Sequence, residues 1–337
     1  MNVALPVPAR TWYGGRRTRL LVALAVLATI AVPILIGGVG VTGSVLRLSL
    51  AGDISIVGLM SVNWLARTLK LLCLSRRVGL RARFGPMLAV SLAADFGFMA
   101  TPAGVGGYAA SIHFLRRIGA SASSAAAITA ADQLLDVLFF VTAVPVAAIA
   151  LSWTVMPHMM SAGLPGMLIV GSVLAMLLIV AYRWALRGGR RCPTRLHQGA
   201  IALRDFAKAA RSDLRLLLTG GFVFSFGILC LTVLQQVSRY AVLSLVFALL
   251  GYRIPLAIAF VLQTLVVQAA SWTGIPAGGG AAEIGLSASF AQWIPSAPLA
   301  SALFIWRIAT LYLGLIVGGL AILWLSSKSF QTHTSEP

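Results

Sequence analysis

The chain has 337 residues, of which 59% are hydrophobic and only 10% charged. Water-soluble domains carry about a quarter charged residues, so a soluble globular protein is excluded and a polytopic all-α membrane bundle is expected. The net charge of +18 does not signal nucleic acid, because the basic residues cluster beside apolar runs, as they do in the cytoplasmic loops of membrane proteins.

Near the start, Arg16, Arg17 and Arg19 precede an apolar run from Leu20 to Val41. The pattern resembles a signal peptide, but the run exceeds a typical h-region and no A-x-A site follows, so it reads as a retained first span. A helix needs about 20 apolar residues to cross the bilayer core. Spans are expected at 20–41, 54–73, 120–150, 164–182, 215–250 and 297–325. Two further apolar stretches end differently. Residues 85–100 run into Thr101-Pro102-Ala103-Gly104-Val105-Gly106-Gly107, and 255–273 into Ile275-Pro276-Ala277-Gly278-Gly279-Gly280-Ala281. Short helices, 107–117 and 282–293, follow them. The loop 183–215 contains an amphipathic stretch from Leu196 to Leu214, with Leu203, Phe206 and Ala210 at helical spacing among Arg204, Lys208 and Arg211. It is expected on the inner membrane surface against anionic lipid, the plain alternative being a solvated basic loop. The tail, 326–337, is polar and expected to be disordered.

The two motifs form an internal repeat. Pro102, Ala103, Gly104 and Gly106 match Pro276, Ala277, Gly278 and Gly280 at one constant offset, and the flanking segments recur in kind. Self-similarity over a long period is a fold signal, and transporter folds are often built from such repeats. The chain is therefore read as one membrane domain, with repeat one at about 54–150 and repeat two at about 216–325. Excess Lys and Arg mark cytoplasmic loops. Such groups occur at Arg10 to Arg19, at Arg67, Lys70, Arg76, Arg77, Arg81 and Arg83, at Arg116 and Arg117, across 183–215, and at Lys328. This distribution implies a cytoplasmic membrane protein with both termini inside. Two full crossings at each motif would keep the same parity, and it is the motif chemistry that favours a re-entrant hairpin tipped by each motif, the two hairpins inverted. Pro and Gly break helices, and irregular backbone at membrane depth is tolerated only where protein or a cavity surrounds it.

Only eight residues are acidic, and Asp95, Asp132, Asp136 and Glu283 sit in apolar segments. A charge at mid-bilayer costs several kcal/mol, so such groups pair or line a polar route. Asp132 and Asp136 lie one turn apart on one helix face, beside Thr129 and Gln133. Arg307 is the one cation of the last span, and Arg239 follows the polar patch Gln235-Gln236-Val237-Ser238. These residues predict a polar cavity between the repeats, with the motif tips offering backbone N–H groups to an anion. Arg307 and Arg239 would bind a phosphate. Asp132, Asp136 and Glu283 would balance those charges, bind a coupling cation or relay protons, and Asp95 is a further candidate. The bland reading makes Arg307 and Glu283 a neutralising pair that only holds the bundle. Ala122 to Ala127 and the Gly314/Gly318 pair suit close helix packing. Cys73, Cys192 and Cys230 are scattered and the four histidines show no paired spacing, so no disulfide, metal or cofactor is expected. No Walker A or nucleophile-elbow motif appears, which argues against an enzyme.

The segments TPAGVGGYAASIHFLRRIGAS, AADQLLDVLFF, IPAGGGAAEIGL and WRIATLYLGLIVGG resemble the transmembrane, flippase-like domain of lysylphosphatidylglycerol synthases, which also occurs alone in bacteria, including hopanoid-associated membrane proteins. The resemblance covers roughly 20–325. It implies site roles for Pro276, Gly278, Gly280, Glu283, Arg307 and Tyr312, and for Pro102, Gly104, Gly106 and Asp136. Gly107 stands where relatives often carry Glu, and Asp132-Gln133 where they often carry Glu-Arg. The soluble aminoacyl-transferase domain has no counterpart, so lipid aminoacylation is not implied; movement of a phosphate-bearing or polyprenyl-linked lipid between leaflets of a bacterial inner membrane is. Expected partners are the lipid, anionic inner-leaflet lipid at 183–215, and a second copy or a lipid-biosynthesis enzyme. A rival reading makes the chain a non-transporting partner of a lipid-modifying or hopanoid enzyme. A third makes it a lipid-phosphate enzyme using Asp132 and Asp136.

Overall fold

The computed structural model describes residues 49–154, 212–213, 220–271 and 273–327. The expected spans at 20–41 and 164–182, and the loop at 183–215 apart from Ser212 and Asp213, lie outside the described residues. Those described are helical, with no strand among them.

Helix α1 (Leu50–Arg77) begins where the Ser49 hydroxyl accepts the Gly52 N–H at 3.1 Å, with Asp53 in the first turn and Arg76 and Arg77 in the last. This is the charge order that the helix dipole favours. Gly79, at φ 80°, stops it, with the Leu80 N–H bonded back to the Ser75 carbonyl. Helix α2 (Phe84–Ala100) ends ahead of Pro102, as the residue before a proline is pushed out of helical geometry. Helix α3 (Val105–Arg117) follows the first tip, and α4 (Ala122–Thr154) follows a turn capped by Ser121. The second part repeats the order with α5 (Phe222–Leu249), α6 (Leu256–Ser271), the second tip and α7 (Ala281–Phe290). Helix α8 (Ser296–Arg307) continues through a π-turn (Ile308–Tyr312) into α9 (Leu313–Ser327).

The expected spans 54–73, 120–150, 215–250 and 297–325 appear as α1, α4, α5 and α8–α9, all long and apolar enough to cross a membrane. Helices α2 and α6 are apolar but shorter. Ser326 and Ser327, expected in the tail, belong to α9, and the rest of the expected tail lies outside the described residues.

The bundle buries ionic groups within its apolar core and exposes large apolar side chains on its outer face. Ile316, Leu320 and Leu323 form an exposed stripe on α9, whereas Arg67, Lys70, Asp95, Asp132, Glu283 and Arg307 are buried. In water this arrangement would forfeit hydrophobic burial; in lipid the outer stripe is solvated and the ionic groups are shielded.

Contacts fix how the helices run. Gly52 at the start of α1 lies against Leu249 at the end of α5, and Arg77 at the end of α1 sits over the Phe224 ring near the start of α5, 4.6 Å from its centroid. Helices α1 and α5 are therefore antiparallel neighbours. The turn after α3 meets the turn before α2, since Gly119 faces Leu80. The end of α7 meets the end of α5, with the Phe290 and Phe247 rings 5.0 Å apart. The two Pro/Gly tips touch each other.

Small residues permit the closest approach, as expected for Gly314 and Gly318. A Cβ at Gly318 would lie 2.6 Å from the Leu92 carbonyl oxygen and 2.7 Å from the Phe96 Cβ, on α2. The Gly318→Leu variant is therefore expected to lose about 1–3 kcal/mol through overpacking, read as a lowered Tm in detergent. A matching Gly319→Ala variant, whose Cβ would meet only the Phe96 ring at 3.8 Å, is expected to keep the parent Tm.

Candidate functional site

The two tips share one backbone conformation. Ala103 and Ala277 both adopt φ 52°, with ψ of 16° and 17°. Left-handed geometry is unfavourable for a residue with a Cβ by roughly 1–2 kcal/mol. Gly104 (φ 70°) and Gly278 (φ 63°) continue it in each tip, where glycine is the residue the geometry permits. The motifs matched in sequence are thus matched in fold, down to a strained alanine.

The tips are tied differently. In the first, the Thr101 hydroxyl donates to the Gly97 carbonyl at 2.8 Å and accepts the Gly106 N–H at 2.7 Å. The Gly106 N–H, expected to be offered to an anion, is already engaged. In the second tip, Arg307 Nη1 donates to the Ala277 carbonyl at 3.2 Å.

Arg307 is the centre of the first ionic group. Its Nε and Nη2 donate to Oε1 and Oε2 of Glu283, the latter at 3.1 Å, and its guanidinium lies 4.6 Å from the Trp306 ring centroid. This side-on bidentate pairing is strong and geometrically specific. Glu283 is fully buried and does not line the cavity; its contact is with Arg307. The π-turn starts directly after Arg307, and such turns are common at functional sites.

A second, larger ionic group joins α1, α2 and α4. Arg67 bonds Asp95 and, at 3.1 Å, Asp132; Lys70 bonds Asp132 at 2.7 Å and Asp136 at 2.8 Å. The Trp64 indole N–H donates to Asp95 Oδ2 at 3.0 Å. Arg67 is 3% exposed and Lys70 0%, which corrects the placing of both among the cytoplasmic loop charges. They sit one helical turn apart on α1, facing inward, while Arg76, Arg77, Arg81 and Arg83 remain at the α1–α2 turn. The sequence held the signal: Arg67 and Lys70 fall at i, i+3 inside an apolar run, the spacing that puts two side chains on one helix face. The nearby arginines masked it.

Between these groups lies a cavity of about 520 Å³, within the range of ligand sites. Ala103 and Gly104 of one tip and Ala277 and Gly278 of the other line it. Of the expected charged residues, Asp95, Asp136, Arg239 and Arg307 reach it. Asp132, Glu283, Pro102, Gly106, Pro276, Gly280 and Tyr312 do not line it. Sequence reasoning also missed Gln263 and Gln268 on α6, which join Gln133, Gln235 and Gln236 on its walls. With its amide oriented to suit both neighbours, Gln263 donates to the Tyr240 carbonyl at 3.1 Å and accepts from the Trp306 indole at 3.2 Å.

The Lysylphosphatidylglycerol synthase TM region family matches residues 45–318. A protein of Archaeoglobus fulgidus described as a UPF0104 membrane protein is 22% identical over 285 residues, spanning 79% of this chain and 84% of its own.

Proposed function

The chain belongs to the Lysylphosphatidylglycerol synthase TM region family, and on that premise we propose that it is a lipid translocase, carrying a phosphate-bearing head group between leaflets while the lipid tails stay in the bilayer. The observation that carries this reading is the cavity: charged and amide groups, and both strained tips, meet in the interior of a bundle whose outer face is apolar. A soluble ligand has no need of such a surround, whereas a lipid presents one polar end and one apolar end.

In this reading the chain is two inverted repeats, each with a re-entrant hairpin. Support comes from the antiparallel α1 and α5, from the Leu80–Gly119 and Phe247–Phe290 contacts at opposite ends of that pair, and from the meeting of the tips. Asp136 and Asp95 would serve coupling to a cation or proton from the cavity wall; Asp132 would act from behind them. Arg307 holds the second tip through Ala277 and is held in turn by Glu283. Bonding of Asp132 and Asp136 to Arg67 and Lys70 counts against a metal-dependent enzyme reading.

The test is leaflet transfer of acyl-labelled lipids in liposomes holding the purified protein. Transfer above protein-free vesicles is expected, and Asp136→Asn is expected to slow it. Absence of transfer for anionic phospholipid, zwitterionic phospholipid and polyprenyl phosphate alike, with folded protein and a pH gradient in either direction, would overturn the proposal.

A further inference from the structure

The charges around the cavity are not spread evenly. In the cluster of α1, α2 and α4, three carboxylates face two cations, leaving one negative charge in excess. Both oxygens of Asp95 are bonded, to Arg67 and Trp64. Asp132 is buried behind. Asp136 uses only Oδ1, toward Lys70, and is the partly exposed member, at 17%. The excess charge therefore opens on the cavity at Asp136.

The opposite excess lies on α5. Arg239 lines the cavity and makes no ion pair or side-chain hydrogen bond among the described residues. Gln235 and Gln236 lie on the same face one turn earlier, and the buried Gln235 Oε1 has no partner among the described residues. Arg307 and Glu283 cancel each other, so they do not alter the balance.

The two poles stand on neighbouring helices. Phe140, one turn beyond Asp136, packs edge-on against Tyr240, the neighbour of Arg239, with ring centroids 5.5 Å apart. Asp136 and Arg239 thus stand on adjacent helices beside one aromatic contact, yet they do not pair. Two unlike charges held apart inside an apolar bundle are unfavourable unless something carries the complementary charges between them. A simple anion would satisfy Arg239 and leave Asp136 opposed. A head group with a phosphate at one end and an ammonium at the other satisfies both and leaves the cavity neutral.

Resting on the translocase reading for its direction of use, we propose that this cavity selects a zwitterionic phosphate–amine head group, with the phosphate on Arg239 and the Gln235 and Gln236 amides and the ammonium on Asp136. Gln235 is the adaptable member, since its amide can turn either a donor or an acceptor toward the ligand. Specificity then resides in two residues from different parts of the chain, neither of which belongs to a tip motif.

The experiment has two arms. The first follows acyl-labelled phosphatidylethanolamine and phosphatidylglycerol in the liposome assay. The parent is expected to favour phosphatidylethanolamine by about tenfold or more, the worth of one charge-assisted hydrogen bond. Asp136→Asn is expected to abolish that preference by slowing phosphatidylethanolamine, and Arg239→Gln to slow both lipids. The second arm needs no transport. Thermal unfolding in detergent is measured with glycerophosphoethanolamine and with glycerophosphoglycerol, and a larger Tm rise is expected with the former, lost in either variant. A preference for the glycerol head group in both arms overturns the proposal, as does an unchanged preference in folded Asp136→Asn. If neither lipid is transferred but glycerophosphoethanolamine still stabilises selectively, the translocase reading fails and the head-group assignment stands. If Asp136→Asn does not fold, the parent's preference and Arg239→Gln carry the same two decisions.

Discussion

Lys70→Met is expected to cost about 3–5 kcal/mol of stability, the usual effect of removing one partner from a buried ion pair. Lys70 is fully buried and bonds two carboxylates. Its loss leaves Asp95, Asp132 and Asp136 with Arg67 alone, so the interior carries two uncompensated negative charges. The direction of a second substitution follows from the same count. Asp132→Asn leaves two cations facing two carboxylates, with the Arg67–Asp95 and Lys70–Asp136 contacts intact, and is expected to be much milder. The combination of Lys70→Met with Asp136→Asn should recover part of the loss. Thermal unfolding in detergent reads all three. Equal damage from Lys70→Met and Asp132→Asn would mean that shape, and not charge balance, holds this cluster.

Glu283→Gln carries the second large effect, also about 3–5 kcal/mol, because it strands the Arg307 guanidinium in a buried position. Here a double substitution separates holding the bundle from moving a lipid. Arg307→Met combined with Glu283→Gln removes both charges together, and a buried pair replaced by neutral groups of similar volume is often tolerated. Stability is expected to return to within about 1–2 kcal/mol of the parent. Transfer is not expected to return, because the Arg307 bond to the Ala277 carbonyl is gone and the second tip loses its tie. Recovery of both properties would reduce the pair to a structural element.

Much of this was readable from residue order. Long apolar runs gave α1, α4, α5 and α8–α9, because span length is set by bilayer thickness and little else competes with it. The likeness of the two tips was readable from Pro and Gly, whose backbone restrictions survive without any knowledge of packing, and Ala103 and Ala277 share a φ of 52°. The Arg307–Glu283 pair was foreseeable as a neutralising pair, since few charges in an apolar chain leave few partners. The Arg67–Lys70 cluster was not foreseen. Its residues bond across 28 to 66 positions of sequence, and proximity to four loop arginines gave a competing assignment. Gln263 and Gln268 were missed for a related reason: a neutral amide in an apolar helix carries no charge signature, and only the meeting of α4, α5 and α6 joins these two to Gln133, Gln235 and Gln236 in one wall.

The buried ion pairs have a consequence for how the protein is made. Arg67, Lys70, Asp95, Asp132 and Asp136 all precede the segment between α4 and α5, while Glu283 and Arg307 both follow it. Each portion of the nascent chain can therefore quench most of its own ionic burden as it leaves the translocon, before the other exists. Among the described buried and cavity-lining ionic groups, what remains is a single unit of opposite sign on each portion, Asp136 on the earlier and Arg239 on the later. Lateral docking of the two in the bilayer then has a built-in polarity, and the same two residues that would greet a head group also draw the bundle shut.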